Sequence, residues 1–152
     1  MNERAGPRAR PDARTPVDVA VGVLIDLDGR FLLTSRPVGK VYAGYWEFPG
    51  GKCEPGETHE ECLRRELREE LGVESRVGDE IIVTEHAYAE RTVRLHFRHC
   101  TIDGEPRNLI GQELRWVARA ELSTTKLPEA DRDLVEILTT LDTTKNTKKG
   151  SD

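Results

Sequence analysis

Between Gly51 and Val73 the chain reads GKCEPGETHEECLRRELREELGV, and its carboxylates fall at spacings that could hold a hard cation. Glu66, Glu69 and Glu70 stand at i, i+3 and i+4, so a helix would present them on one face. Like charges at that spacing destabilise an isolated helix. A bound Mg2+ or Mn2+, which prefers carboxylate oxygen, would offset that cost. The competing reading is a solvated face laced with Glu–Arg pairs such as Glu61 with Arg65. The Gly50-Gly51 turn, which lets backbone approach a ligand, and the outlying Glu57 favour the ligand-binding reading.

The elements that must position these groups can be read outward from them. Thr58 followed by Glu61 is a capping box, which predicts a helix from about His59, and Gly72 supplies its stop after Leu71. Leu63, Leu67 and Leu71 form its inward stripe. Upstream, Val17, Val19, Val21, Val23 and Ile25 alternate as a half-buried strand does. Asp26-Leu27-Asp28-Gly29 signals a turn, and Phe31 to Thr34 is expected to return as the partner strand. A loop with Lys40 and Tyr42 leads to Trp46 and Phe48, of which Phe48, two residues before Gly50, is better placed to face a ligand. Val77 to Ala87 and Val93 to Phe97 read as antiparallel strands joined near Ala89-Glu90-Arg91. Leu114 to Val117 makes a short strand, and Leu134, Leu138 and Leu141 stripe a closing helix. Pattern alone therefore gives an α plus β fold.

Composition sets the outer bounds. At 152 residues with 36% hydrophobic and 34% charged, the chain suits one soluble domain with a proper core. No apolar run approaches the roughly 20 residues that span a membrane, and nothing points to a membrane partner. A net charge of -5 argues against a polynucleotide partner but not against a single nucleotide. Residues 1–16, with Pro7, Pro11, Pro16 and four arginines, read as a disordered arm; residues 143–152 read as a disordered polar tail, leaving 17–142 as the domain. Cys53, Cys62 and Cys100 lie at no metal-ligand spacing, so free thiols in a reducing cytoplasm are expected, with Cys62 a packing residue. His86, His96 and His99 lack the paired spacing of a zinc site and read as structural or exposed.

The stretch from Gly51 resembles the Nudix box at every position: Gly51, Glu57, Arg65, Glu66, Leu67, Glu69, Glu70, Gly72 and Val73 are the matches. So many fixed positions make a specific signal. The flanking Tyr45-Trp46-Glu47-Phe48-Pro49-Gly50-Gly51-Lys52 looks like the MutT-type branch, and the likeness runs from Val19 to about Leu138. The resemblance implies an α/β/α sandwich with a mixed β-sheet, and hydrolysis of a nucleoside triphosphate to monophosphate and pyrophosphate with Mg2+, or Mn2+, as cofactor. It makes the Gly50 carbonyl, Glu66, Glu69 and Glu70 the metal ligands, with Glu69 or Glu70 also orienting or deprotonating the attacking water. Glu57 either pairs with Arg65 or reaches the metal, and pairing is favoured; Gly51 and Gly72 are structural. Lys52 is implied as a phosphate contact, Arg36 as a contact to base or sugar, and Glu90 and Arg91 as a pair bordering the pocket.

By the same resemblance the substrate is 8-oxo-dGTP, removed from the cytoplasmic nucleotide pool by a monomer or dimer. Two departures bear on that. Where the branch reads the base with asparagine this chain has Asp131, and an ionised carboxylate only accepts hydrogen bonds. Asp131 would suit cytosine N4, so a pyrimidine (CTP or dCTP) pyrophosphatase is the alternative, and a non-catalytic nucleotide sensor is a third reading. Ile110 stands where the branch commonly has a further metal-binding glutamate, which predicts a weaker additional metal site or none.

Overall fold

The computed structural model describes residues 15–36 and 44–140. Most of the expected arm, the expected tail, Lys40, Tyr42 and Leu141 lie outside the described residues.

Strand β1 (Val17–Leu24) is covered on both faces. Val21 and Val23 enter one apolar cluster, while Ala20 and Leu24 enter another. Such two-sided burial marks a strand with layers above and below it. The chain continues through β2 (Arg30–Ser35), β3 (Trp46–Glu47), β4 (Gly50–Lys52), α1 (His59–Leu71), β5 (Glu74–Ala87), β6 (Thr92–Asp103) and β7 (Leu114–Ala118). Two short 3-10 turns follow, and a final helix, α2, begins at 132 and runs to at least 140. One sheet has the order β4-β1-β6-β5 and the other β3-β2-β7. β1 pairs in parallel with β6 and antiparallel with β4, so the sheet is mixed. α1 places Leu63, Leu67 and Leu71 on the Ala20–Leu24 side, and α2 places Leu134 and Leu138 on the Val21–Val23 side. The helices thus flank the sheets, and the fold is the mixed α+β arrangement expected. Each of those leucines, fully removed from water, contributes about 1.5–3 kcal/mol.

The expectation that Phe31–Thr34 returns as the partner of β1 is corrected. β2 pairs with β3 and β7 in the second sheet, and only an isolated bridge joins Ile25 to Phe31. The turn itself is as read: Asp26 Oδ1 accepts from the Asp28 and Arg30 amides at 2.9 and 2.8 Å, and Gly29 takes φ +79. Periodicity cannot show that β1 already has β4 and β6 as its neighbours. With both edges of β1 occupied, β2 must pair elsewhere.

The cysteine expectation is also corrected. Cys53 and Cys62 form a disulfide with Cα atoms 5.1 Å apart, leaving Cys100 as the free, buried cysteine. β4 delivers Cys53 onto the first turns of α1, whose start is fixed by the capping box between Thr58 and Glu61, both bonds 3.0 Å. Cys62 is fully buried against that helix's core, so it also packs. At the other end Gly72, at φ +68, stops α1. There the loop before β7 reaches back, its Arg107 amide bonding the Leu71 carbonyl at 2.8 Å and its Leu109 amide the Glu70 carbonyl at 3.3 Å. These donors satisfy carbonyls that a helix end leaves unpaired.

Candidate active site

Antiparallel pairing of β4 with β1 sets Gly50 opposite Val21 and Gly51 opposite Ala20, and thereby lays the glycine turn along α1. At Gly50 no other residue fits. Gly50 has φ +152, and a Cβ on it would strike the Ala20 carbonyl; a Cβ on Gly51 would strike the Glu66 carboxyl group. The freed space lets two carboxylates of α1 close on the turn. Glu66 lies against Gly51, and Glu70 accepts a hydrogen bond from the Gly50 backbone amide.

Crowding two acids there has an electrostatic consequence. Burial, followed by the nearby charge of Glu66, pushes the Glu70 carboxyl up to about 8. Glu66 and Glu70 together form an all-oxygen donor pair whose mutual repulsion a cation would relieve, so the residues fit a hard divalent metal ion. Glu69 stands apart from them. Its side chain is 59% exposed and turned to Arg65 Nη1 at 3.3 Å.

Arg65 ties the motif together. Its Nε and Nη2 bond both oxygens of Glu57 at 2.6 and 2.9 Å, Nη2 also reaches the Lys52 carbonyl at 3.1 Å, and Nη1 reaches Glu66 at 3.0 Å. The fork-on-fork contact holds the Glu57 carboxyl down at about 2, assisted by the Glu54 amide. Glu57 is thereby engaged with arginine.

A cleft of about 320 Å3 opens beside the glycine turn. Its lining includes Gly50, Gly51, Lys52 and Glu70 together with Arg36, Glu47, Phe48 and Asp131, while Glu66 and Glu69 do not line it. A larger cleft, about 560 Å3, lies near Asp26–Arg30 and holds none of these carboxylates. Arg36 Nη1 pairs with Glu47 Oε1 at 2.9 Å, while burial raises the Glu47 pKa against that pairing. Asp131 is 7% exposed, and burial followed by the charge of Glu47 pushes it up to about 7. The ionised form of Asp131 only accepts hydrogen bonds, whereas the protonated form that this burial favours donates as well as accepts.

The structure does not bring every sequence candidate into the cleft. Glu90 and Arg91 sit in the bend between β5 and β6 and do not line it, whereas Tyr88 from the same segment does. Glu47 and Tyr88 are the residues that sequence reasoning missed. Glu47 lay inside a quoted motif, but its partner Arg36 is eleven positions away, just past the end of β2, and nothing in the spacing signals that pair. Ile110 is half exposed at 54%, two residues before the buried Gln112.

The chain belongs to the Nudix family, since residues 20–136 match the model of the NUDIX domain. As a member it is a hydrolase acting on phosphoanhydride bonds of nucleotides, a chemistry for which the family generally uses divalent metal ions. It is 38% identical over 117 residues to the CTP pyrophosphohydrolase of Escherichia coli (strain K12), covering 76% of this chain and 87% of that one. It is 34% identical over 123 residues to the 8-oxo-dGTP diphosphatase of Haemophilus influenzae (strain ATCC 51907 / DSM 11121 / KW20 / Rd), covering 80% and 90%. Among solved structures, the E. coli ORF135 protein superposes with a TM-score of 0.77 at 35% identity, covering 85% and 92%. The MutT NUDIX hydrolase of Burkholderia pseudomallei gives 0.71 at 31%, covering 81% and 98%. No described helix is long and apolar enough to cross a membrane.

Proposed function

We propose that the protein is a Mg2+-dependent nucleoside triphosphate pyrophosphohydrolase acting on 8-oxo-dGTP, releasing the monophosphate and pyrophosphate and so sanitising the nucleotide pool of the cytoplasm. The observation that carries this reading is the cleft's lining: Glu70 beside the Gly50-Gly51 turn shares one cleft with Arg36, Glu47 and the buried Asp131.

Glu66 and Glu70 would hold the metal with Glu69, which must swing from Arg65, and with the Gly50 carbonyl. The ion, when bound, neutralises phosphate charge and lowers the pKa of its water. This chain's own residues do the rest. The glycine turn lets backbone and Lys52 approach the phosphates. Arg65 holds Glu66 in place and, through Glu57 and the Lys52 carbonyl, fixes the loop to the helix. Glu69 or Glu70, once ionised, orients or deprotonates the attacking water.

At the base end, protonated Asp131 offers one O–H and one C=O, the same donor–acceptor pair as an asparagine amide. That form suits an oxidised guanine. The ionised form, beside Arg36-paired Glu47, suits the amino group of cytosine. The second reading is accordingly a CTP or dCTP pyrophosphohydrolase, favoured by the likeness to the E. coli enzyme of that name.

The test is pyrophosphate release from 8-oxo-dGTP, dGTP, dCTP and CTP in Mg2+, each as kcat/KM. Preference for 8-oxo-dGTP supports the first reading, preference for a cytosine nucleotide the second, and no turnover of any sinks both. Glu69→Gln is expected to lower kcat roughly a hundredfold or more. Turnover unchanged by that substitution would remove Glu69 from the chemistry.

A further inference from the structure

Away from the cleft, three side chains with metal-ligating atoms meet at the N-terminal end of α1. Asp18 comes from β1, His96 from β6 and His59 from the first helical residue. The parallel register sets Ala20 opposite His96 and Asp18 opposite Arg94, so Asp18 and His96 project on the face that α1 covers. His96 Nε2 lies 2.8 Å from Asp18 Oδ1, and the His59 and His96 rings lie with centroids 3.6 Å apart, tilted by 32°. One donor atom from each residue falls within 4.8 Å of the others. Ligand atoms around a tetrahedral ion, at about 2.0–2.1 Å from it, stand about 3.3 Å apart, so a small closure suffices.

His96 supplies the second observation. It is 5% exposed, and its Nδ1 is buried with no hydrogen-bond partner among the described residues. A buried nitrogen left unpaired is costly and calls for an explanation. The Asp18 contact is made by the other ring nitrogen, Nε2, and so leaves Nδ1 unsatisfied.

The surrounding charges are mixed. Burial, followed by the neighbouring His96, lowers the pKa of His59 and favours the neutral imidazole that ligates metals. Asp18 and Glu80 bring negative charge to His59, against Arg98. Arg94, 3.8 Å from Asp18, is also engaged by Glu85 at 3.0 Å.

We propose that Asp18, His59 and His96 form a metal site separate from the carboxylate site, taking a borderline divalent transition-metal ion of the Zn2+ class. Two imidazoles and one carboxylate are the donors such ions select, whereas the Glu66–Glu70 set is all oxygen. His59 is seven residues before Glu66, about 10 Å along the helix. The bound ion joins β1, β6 and the start of α1, and so anchors the helix that carries the catalytic carboxylates. Three protein ligands leave one position for water.

The experiment uses the full, oxidised protein in excess Mg2+, which occupies oxygen sites and avoids imidazole. Co2+ is titrated in and followed by visible absorption, then displaced with Zn2+. The expected result is one equivalent of Co2+ giving the visible bands of a low-coordinate nitrogen–oxygen site, lost on adding Zn2+. His59→Ala and Asp18→Asn are each expected to weaken binding roughly 10–100-fold, with folding and Mg2+-supported turnover retained. Asp18 and His59 are only half-buried, so these variants keep the test open, as a change at the buried His96 would not. The proposal is overturned if Co2+ gives no such bands, if His59→Ala titrates like wild type, or if an intense near-ultraviolet sulfur-to-cobalt band shows that the ion is held by thiolate instead.

Discussion

Glu70, Asp131 and Glu57 are three acids that the fold treats differently, and their differences translate into pH dependence. Glu70 rises from 4.5 to about 8 and Asp131 from 3.8 to about 7, both chiefly through burial. For each, the folded state holds its proton more tightly than the unfolded chain. Their contribution is complete below the unfolded pKa and is lost as pH rises through the folded one. Glu57, lowered from 4.5 to about 2, has the opposite sign: its contribution is present above 4.5 and lost toward pH 2. In chelator, the melting temperature should therefore fall between pH 5 and 9, and Mg2+ should recover most of the loss at the alkaline end by rewarding the ionised carboxylates. A melting temperature that is flat or rising over that range without metal contradicts this account. Asp131→Asn carries a related expectation. It should leave 8-oxo-dGTP turnover near wild type at pH 6 and exceed wild type at pH 8.5, where the aspartate has lost its proton. Parallel pH profiles for the two proteins would show that Asp131 does not read the base through its proton.

Elements are where the sequence was most informative, and also where it misled. The capping box, the leucine stripe and Gly72 announce α1 because each acts within four residues of the next, and the helix runs His59–Leu71 as read. The β5–β6 hairpin was legible for the same local reason. The pairing of β1 with β6 was not, since it joins residues more than 70 positions apart and β1 shows the same alternation whichever strand lies beside it. The candidate site divides likewise: Arg65 with Glu57 falls within one motif, whereas Arg36, Glu47 and Asp131 meet only through the fold. At this scale the glycine turn is the sharpest target. Gly51→Ala places a methyl group where Glu66 now lies, and displacing that carboxylate by an ångström should cost roughly a hundredfold in kcat. The melting temperature should move far less than the rate; a rate near wild type would mean that Glu66 works from another position.

For the whole molecule, the Cys53–Cys62 bridge closes a short loop with a sequence separation of nine around the start of α1. A loop of that length stabilises by about 2–3 kcal/mol through the unfolded chain. Reduction in dithiothreitol should lower the melting temperature by about 5–10 °C, with Cys53→Ser giving the same shift and no further response to reductant. An unchanged melting temperature on reduction would show that the bridge does not restrain the chain. In a cytoplasmic setting this bridge would face thiol reductants, so the capping box and the Arg65–Glu57 pair must hold the same region when it opens.

The loop that crosses the end of α1 has a consequence of another kind. It grips the helix through main-chain amides, Arg107 to Leu71 and Leu109 to Glu70. Any residue but proline carries such an amide. At those two positions the letters are thus free to drift from one descendant to the next, while the loop's path is shaped beside them by Asn108, whose Oδ1 accepts from the Gly111 amide at 2.8 Å, and by Gly111 at φ +86. What lineage must preserve at the grip itself is a count of residues rather than their identity.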